Sequence, residues 1–403
     1  MKSIIIIGGG AAGFFAAITA AEANPSADVS ILERGKDVLQ KVKISGGGRC
    51  NVTHACFLPS ELVKNYPRGE KALLGPFMRF SAQDTIDWFA QRGVKLKTED
   101  DGRMFPTTNN SQTIVDCLER AAEVANVKIL RGYRVEDLEQ MGNQWLVKTN
   151  RQSFTADKVL IAAGSSTAVW DLLKKLGHTI VEPVPSLFTF NIKDKRIDGL
   201  AGLSVPLATI QVEGTKLKTQ GPLLITHWGM SGPAILKLSA WGARHLFEAQ
   251  YQFNIRINWT GKLNAEEVKT ELTDNFKVKF LKKQIDKTPQ YNISTRLWQR
   301  FLEAANIPET MIWADISKKQ IQNLAEQLTQ STYEVKGKST FKDEFVTAGG
   351  VKLDEVNFKT FESKRLPNLF FAGEILDIDA ITGGFNFQAA WTGGWIAGEA
   401  MGL

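Results

Sequence analysis

SIIIIGGGAAGFFAAITAAEA, residues 3–23, is the stretch on which the fold turns. Residues 3–7 form an apolar, β-branched run of the kind buried on both faces of a parallel sheet. Gly8, Gly9, Gly10, Ala11, Ala12 and Gly13 follow at once, and residues 14–23 are small residues and helix formers. Residues 28–33 (DVSILE) read as a second strand. Together these make one strand–helix–strand unit with the spacing G-x-G-x-x-G at Gly8, Gly10 and Gly13. The first glycine permits a tight turn, the second lets backbone approach a pyrophosphate, and the third lets helix and strand pack closely. Glu33 stands 20 residues beyond Gly13, where a carboxylate accepts hydrogen bonds from ribose hydroxyls. The pattern predicts a dinucleotide held at a helix N-terminus. Lys2 and the apolar run also resemble a secretory signal, but the glycine spacing favours the dinucleotide motif.

Further along, residues 81–92 read as a helix opening at Ser81, and residues 113–125 as another. Residues 127–130 look like a strand, and a meander runs from 134 through Trp145 and Val147. VLIAA (159–163) is a third buried strand closed by Gly164; LFFA (369–372) is a fourth, followed by glycines and a last helix. Between them the pattern changes. FTFNI (188–192), LATIQV (207–212) and YQFNIRIN (251–258) alternate as antiparallel strands do, residues 263–330 turn helical, and residues 333–341 return as a strand. The expected fold is α/β: a Rossmann-type domain (1–187 and 343–403) interrupted by an antiparallel β-barrel (188–262 and 331–342) and a small helical module (263–330).

Of 403 residues, 43% are hydrophobic and 23% charged, the balance of an ordinary globular protein. No other run reaches the roughly 18 apolar residues of a membrane helix, so no membrane partner is expected. Cys50, Cys56 and Cys117 are odd in number and lack C-x-x-C spacing. That argues against a disulfide framework and a structural zinc, and fits the cytoplasm. Residues 188–342 hold 22 Lys+Arg against 14 Asp+Glu, while the whole chain carries +6. The excess is either a solvated surface or a face for a polyanion such as RNA.

Three later segments favour FAD over NAD: VLIAAG (159–164), NLFFAGE (368–374) and GGFNFQAA (383–390). No second strand–GxGxxG–helix unit is present, since GMSGPA (229–234) and GGWIAG (393–398) stand in the wrong contexts. NADPH or NADH is therefore expected only as a transient electron donor. No sequence feature sets an oligomeric state.

KISGGGRCNVT (43–53) resembles the signature of the YhiN/BaiN-like flavoproteins. GRMFP (102–106), ITHWGMSGPAIL (225–236), FVTAGGV (345–351) and GEILDIDAITGGFNFQAAWTGGWIAG (373–398) match further family segments in order, so the resemblance spans the chain. It implies that Gly8, Gly10, Ala12 and Gly13 cradle the FAD pyrophosphate, and that Glu33, with Arg34 beside it, holds the ribose. Arg49 and Cys50 would lie along the flavin. Val135 would meet the adenine through its backbone, with Ala163 and Gly164 lining the same side. Gly373, Glu374, Gly383, Gly384, Phe385, Asn386, Phe387 and Gln388 would close around the ring. His54 stands where family members often carry Asn.

Flavin supplies hydride chemistry and the protein supplies orientation and proton transfer. Cys50, next to Arg49, reads either as a general acid or as a small packed residue. His227, between a strand and a helix, and Glu374 are the other catalytic candidates. Ser231 reads as the cap of the helix entered at Pro233, and Asp377 and Asp379 as loop-shaping residues. For some members the resemblance implies reduction of a uridine in ribosomal RNA to dihydrouridine, with the basic region 188–342 holding the RNA. For others it implies reduction of a ring C=C bond in a steroid-like compound. The third reading is a flavin-containing RNA- or protein-binding factor without catalysis.

Overall fold

The computed structural model describes residues 2–339 and 346–403. The end of the strand expected over 333–341, and the junction expected at 342 and 343, lie outside the described residues. The chain divides into two compact units, Met1–Val184 with Val346–Leu403, and Pro185–Phe345.

The first unit is built on a seven-stranded sheet. Five of its strands are parallel, in the order Leu369–Phe371, Lys158–Ile161, Ser3–Ile7, Asp28–Glu33, Lys128–Arg131, the last at one edge. Val356–Asn357 and Glu362–Ser363 extend the other edge antiparallel. Ser3–Ile7 lies at the centre, with Ile5 between Val159 and Ser30, and all four of its isoleucines are buried. Cover by the helix Ala11–Ala23 and by a three-stranded sheet (Val135–Met141, Gln144–Thr149, Ser153–Ala156), whose Trp145 and Val147 join the same core, explains why the run shows no polar alternation.

Ala11–Ala23 packs along the C-terminal helix, Phe385–Gly402. The approach is close enough to need glycine. A Cβ on Gly394 would stand 2.6 Å from Ala12 O, and one on Gly398 2.7 Å from Ala16 O. GGWIAG (393–398) is thus a helix-packing stripe. Ala82–Gln91 opens with a capping box between Ser81 and Asp84, which answers N–H groups the first turn leaves over.

The second unit holds a seven-stranded sheet in the order Ser331–Lys336, Gln252–Asn258, Ser204–Val212, Lys218–Thr226, Gly229–Ser231, Thr189–Asn191, Lys338–Ser339. Its two edge strands are neighbours in sequence, joined by Gly337. Gly337 N–H donates to Tyr251 O (2.8 Å) and its carbonyl accepts from Asn191 N–H (3.0 Å), so the sheet rolls until its edges meet. The stretch expected as a helical module, residues 263–330, is not separate. Val268, Leu272, Trp298, Phe301 and Leu324 share one hydrophobic core with Ile210, Ile225 and Ile257 of the sheet. Among the described residues, no helix is long and apolar enough to cross a membrane.

Candidate functional site

Gly8, Glu33, Ala163 with Gly164, and Gly373 with Glu374 all follow the carboxyl ends of adjacent parallel strands. In open α/β sheets that edge is where ligands bind. A Cβ on Gly8 would stand 2.4 Å from Ala162 O, and one on Gly13 2.0 Å from Gly8 O, so both positions are closed to larger residues. Gly10 differs: nothing lies within 4 Å of the place its Cβ would take. This open space sits before the first turn of Ala11–Ala23, which no side chain caps. Uncapped N–H groups and the helix dipole favour an anion there.

The Glu33 carboxylate accepts from Gly9 N–H (2.9 Å) and Gly35 N–H (2.7 Å). Its backbone carbonyl accepts from Tyr133 N–H (2.8 Å), which brings the chain leading to Val135 beside it. Val135 opens the strand Val135–Met141 at a bulge. Arg34 points to solvent. A Cβ on Gly373 would lie 3.1 Å from Ala12 Cβ, so the late segment reaches the N-terminal helix. Glu374 receives Lys41 Nζ at 2.5 Å, and its Oε2 lies 3.8 Å from a Cβ built on Gly164.

Two distant stretches meet at Gly384. The Asn51 amide accepts from Gly384 N–H (2.9 Å) and donates to Thr53 O (3.0 Å). Trp391 Nε1 donates to Val52 O (2.9 Å), and Thr53 Oγ1 to Gln388 Oε1 (2.6 Å). GGGRCN and GGFNFQ therefore form one assembly. Some of its side chains face away from any ligand. Gln388 is fully buried and bonded to Thr53, Thr85 and Thr392, and Asn386 clamps Ala380 through both N–H and carbonyl. Their side chains are internal braces, which leaves backbone as what they offer a flavin. Phe385 stacks on His54 at 4.6 Å, and Phe387 on Trp391 at 5.5 Å. Gly383 brings its backbone against the Phe385 ring. Asp379 is enclosed and takes both arms of the Arg68 guanidinium, which shapes the loop before Gly383.

Arg49 does not serve Cys50. Its guanidinium pairs with Glu99 at 2.6 Å and lies 4.0 Å over the Phe105 ring. Cys50 is wholly enclosed, and burial pushes its thiol up to about 12, against a smaller pull from Ser45. A general acid works best with a pKa near the working pH, so this thiol fits the packed role. His227 lies in the second unit, in the exposed turn between Lys218–Thr226 and Gly229–Ser231, so two strands flank it where strand and helix were expected. Ser231 is not a cap: Gly232 holds that position, and Ser231 Oγ accepts from Thr189 Oγ1 (3.0 Å).

From sequence His54 stood out only as a departure from the family's Asn, with no role assigned. Its Nε2 meets Asp101 O at 3.1 Å, and its buried Nδ1 has no partner. Burial, the largest influence, lowers its pKa against the pull of Asp101. Its position next to the signature segment 43–53 was the available signal.

The model of the HI0933-like protein Rossmann domain matches residues 2–400. The chain belongs to this family. Membership makes it an FAD-dependent oxidoreductase, as the signature segments implied, and the open space at Gly10 before an uncapped helix fits the diphosphate of that cofactor. It is 28% identical to a 3-dehydro-bile acid delta(4,6)-reductase of Clostridium scindens, covering 99% of each chain. It is 27% identical to a ribosomal RNA dihydrouridine synthase of Haemophilus influenzae, over 96% of this chain and 95% of that one. Among solved structures it resembles a 3-ketosteroid-delta4-(5alpha)-dehydrogenase of Rhodococcus jostii, at TM-score 0.53 and 13% identity, covering 100% of this chain and 97% of that one. At that identity the likeness is one of fold.

Proposed function

We propose that this chain is an FAD-dependent reductase of a ring C=C bond conjugated to a carbonyl, with uridine of ribosomal RNA as its substrate. The observation that carries the choice of RNA is the charge of the inserted region, where 22 Lys+Arg face 14 Asp+Glu over residues 188–342. The name of the Haemophilus influenzae relative points the same way.

When bound, reduced FAD supplies a hydride. Addition at uracil C6 consumes the C5=C6 π bond and leaves its electron pair on C5, conjugated with the C4 carbonyl, so C5 needs one proton. The chain's part is to bind, to orient and to pass that proton. The space at Gly10 and the first turn of Ala11–Ala23 would hold the diphosphate, and Glu33, whose carboxylate already accepts from Gly9 and Gly35 N–H, would use its remaining lone pairs on the ribose hydroxyls. Lys41 and Glu374 form an ion pair beyond the end of Leu369–Phe371 and are the groups placed to pass that proton. NADPH or NADH docks transiently to restore the reduced cofactor.

A second reading rests on the Clostridium scindens relative: a hydrophobic enone offers the same conjugated C=C. The test is anaerobic. The yellow protein is bleached with NADPH or NADH, then mixed with a transcribed fragment of large ribosomal RNA or with a 3-keto-4-ene steroid. Return of the flavin band with RNA, and dihydrouridine in the digested transcript, is the expected result. Reoxidation by the steroid alone moves the assignment to the second reading. A flavin that neither donor bleaches removes nicotinamide from the scheme.

A further inference from the structure

KVKFLKKQIDK, residues 277–287, carries five lysines and one aspartate. The aspartate is already used: Asp286 is buried and pairs with Lys287 at 3.0 Å. Lys277 Nζ donates to Ile316 O (3.1 Å). Lys279, Lys282 and Lys283 are exposed and, among the described residues, have no carboxylate within ion-pair distance. Lys318 and Lys319, exposed at the start of the helix Lys318–Thr329, are in the same condition. Asp274, Glu309 and Asp315 are exposed acids on the adjoining chain, and none of them is bonded to these lysines.

The run is also fixed in place. Trp313 N–H donates to Lys283 O (3.1 Å), Ala314 N–H to Leu281 O (2.9 Å), and Ile285 N–H to Met311 O (3.0 Å). This short antiparallel pairing anchors residues 281–285 on residues 311–314. The Phe280 ring lies 5.2 Å from Lys279 Nζ and 5.5 Å from Lys283 Nζ, and holds both ammonium groups by its π face. The result is a ledge of cations carried on an anchored backbone, with Lys279 and Lys283 also held by the ring. Elsewhere in this unit a cavity of about 410 Å³ is lined by Lys218 and Lys262 with Thr209, Gln220 and Asn258, and by no carboxylate.

Resting on the RNA reading above, we propose that Lys279, Lys282 and Lys283, with Lys318 and Lys319, form the ledge that holds the phosphate backbone of the RNA substrate. Fixed, unpaired cations in sequence match a chain of phosphates, and binding releases the counterions of those phosphates. A membrane fits less well. Val278 (70% exposed) and Leu281 (45%) are apolar, but the helical run over 265–279 that ends here exposes Glu266, Glu267, Thr270, Thr273, Asp274 and Asn275, so it presents no apolar face to lipid.

The test uses the full chain loaded with FAD and the variant K279Q/K282Q/K283Q. Binding of a fluorescent transcript of large ribosomal RNA is followed by anisotropy over a range of salt. Each lost phosphate contact lowers the slope of log K against log salt by about 0.7 to 0.9. The variant is expected to lose about two units of slope and at least tenfold in affinity, with its flavin spectrum and its bleaching by nicotinamide unchanged. Equal slope and affinity in the two proteins overturns the ledge and leaves the RNA reading standing. Wild-type protein that ignores the RNA sinks the RNA reading itself. Vesicles of phosphatidylglycerol and phosphatidylcholine are the control. Capture of wild type but not of the variant, with equal RNA binding by both, would make the ledge a membrane contact and overturn the proposal.

Discussion

The Asn51 amide accepts the Gly384 N–H at 2.9 Å, which ties the signature segment to the start of the C-terminal helix across 333 residues of sequence. Glycine at 384 has φ +91, and a Cβ there would stand 2.5 Å from Thr53 O. The bond therefore fixes a contact that no other residue at 384 could make so closely. Asn51→Ala leaves the half-buried Gly384 N–H without this partner, at a cost of about 1 kcal/mol. The variant should lose several degrees in melting temperature and retain less FAD, read as a lower ratio of absorbance at the flavin band to that of the protein. Unchanged flavin content would mean that this junction serves the fold alone.

Gly10 and Gly13 should respond differently to a side chain. At Gly13 a Cβ meets Gly8 O at 2.0 Å, so Gly13→Val should fail to fold or fold with heavy loss of stability. At Gly10 the space is open and the backbone is extended, with φ −95 and ψ −168. Gly10→Val should fold with nearly native circular dichroism and purify colourless, because the side chain fills the place assigned to the diphosphate. A yellow, fully loaded G10V protein would remove that assignment.

Cys50 is fully enclosed and its thiol is pushed up to about 12, chiefly by burial. Cys50→Ala should cost about 1 kcal/mol or somewhat more in stability, as a small cavity does, while the rate of substrate reduction changes less than fivefold. The native thiol should react with maleimide only as the protein unfolds. A fall in rate of a hundredfold or more, restored by serine, would return Cys50 to the role of proton donor.

Acid should act in two windows. Burial lowers the pKa of His54 and of His178, the latter against the pull of Glu355 at 2.8 Å. A histidine held below its ordinary 6.5 stabilises the fold above that value, and the contribution is lost as pH falls beneath it. Burial works to raise Glu355, but hydrogen bonds from Thr179, His178 and Arg365 outweigh it and draw the carboxyl down to about 2. That contribution is present above the ordinary 4.5 and fades as pH falls towards 2. Melting temperature should be level above about pH 7, decline below about 6.5, and fall more steeply below about 4.5. Glu355→Gln should flatten the lower window and, by removing the pull on His178, carry the upper decline to lower pH. A profile flat from 7 to 5 would contradict the histidine part.

What could be read from sequence was local and periodic. Residues 3–33 carry a strand, a glycine turn, a helix and an acid in one continuous stretch, so the Rossmann unit is legible, as are the buried strands at 159–163 and 369–372. Side-chain direction was not. Asn386 and Gln388 lie in the flavin-type segment, yet the helix that begins at Phe385 turns Gln388 onto Thr85 and Thr392, and Asn386 folds back on Ala380. Closure of the rolled sheet depends on two backbone hydrogen bonds at Gly337, which no pattern of residue types records. The Arg49–Glu99 pair joins positions 50 residues apart, so the arginine looked free to serve Cys50.

The glycine stripe of the C-terminal helix gives the last expectation. Gly394, Gly398 and Gly402 recur every fourth residue and so lie on one face, against Ala12, Ala16 and Ala23. Backbone approaches backbone there, so an added side chain has nowhere to go. At Gly398 the new Cβ would stand 2.7 Å from both Ala16 O and Thr19 Cβ. Overpacking of a tight core costs about 1 to 3 kcal/mol and often more. Gly398→Leu should therefore prevent soluble expression, whereas Gly398→Ala should fold with a clear drop in melting temperature. Because the same N-terminal helix presents its first turn to the diphosphate, the alanine variant should also release FAD faster on dilution. Normal melting and normal retention in G398A would show that the two helices can part without disturbing the site.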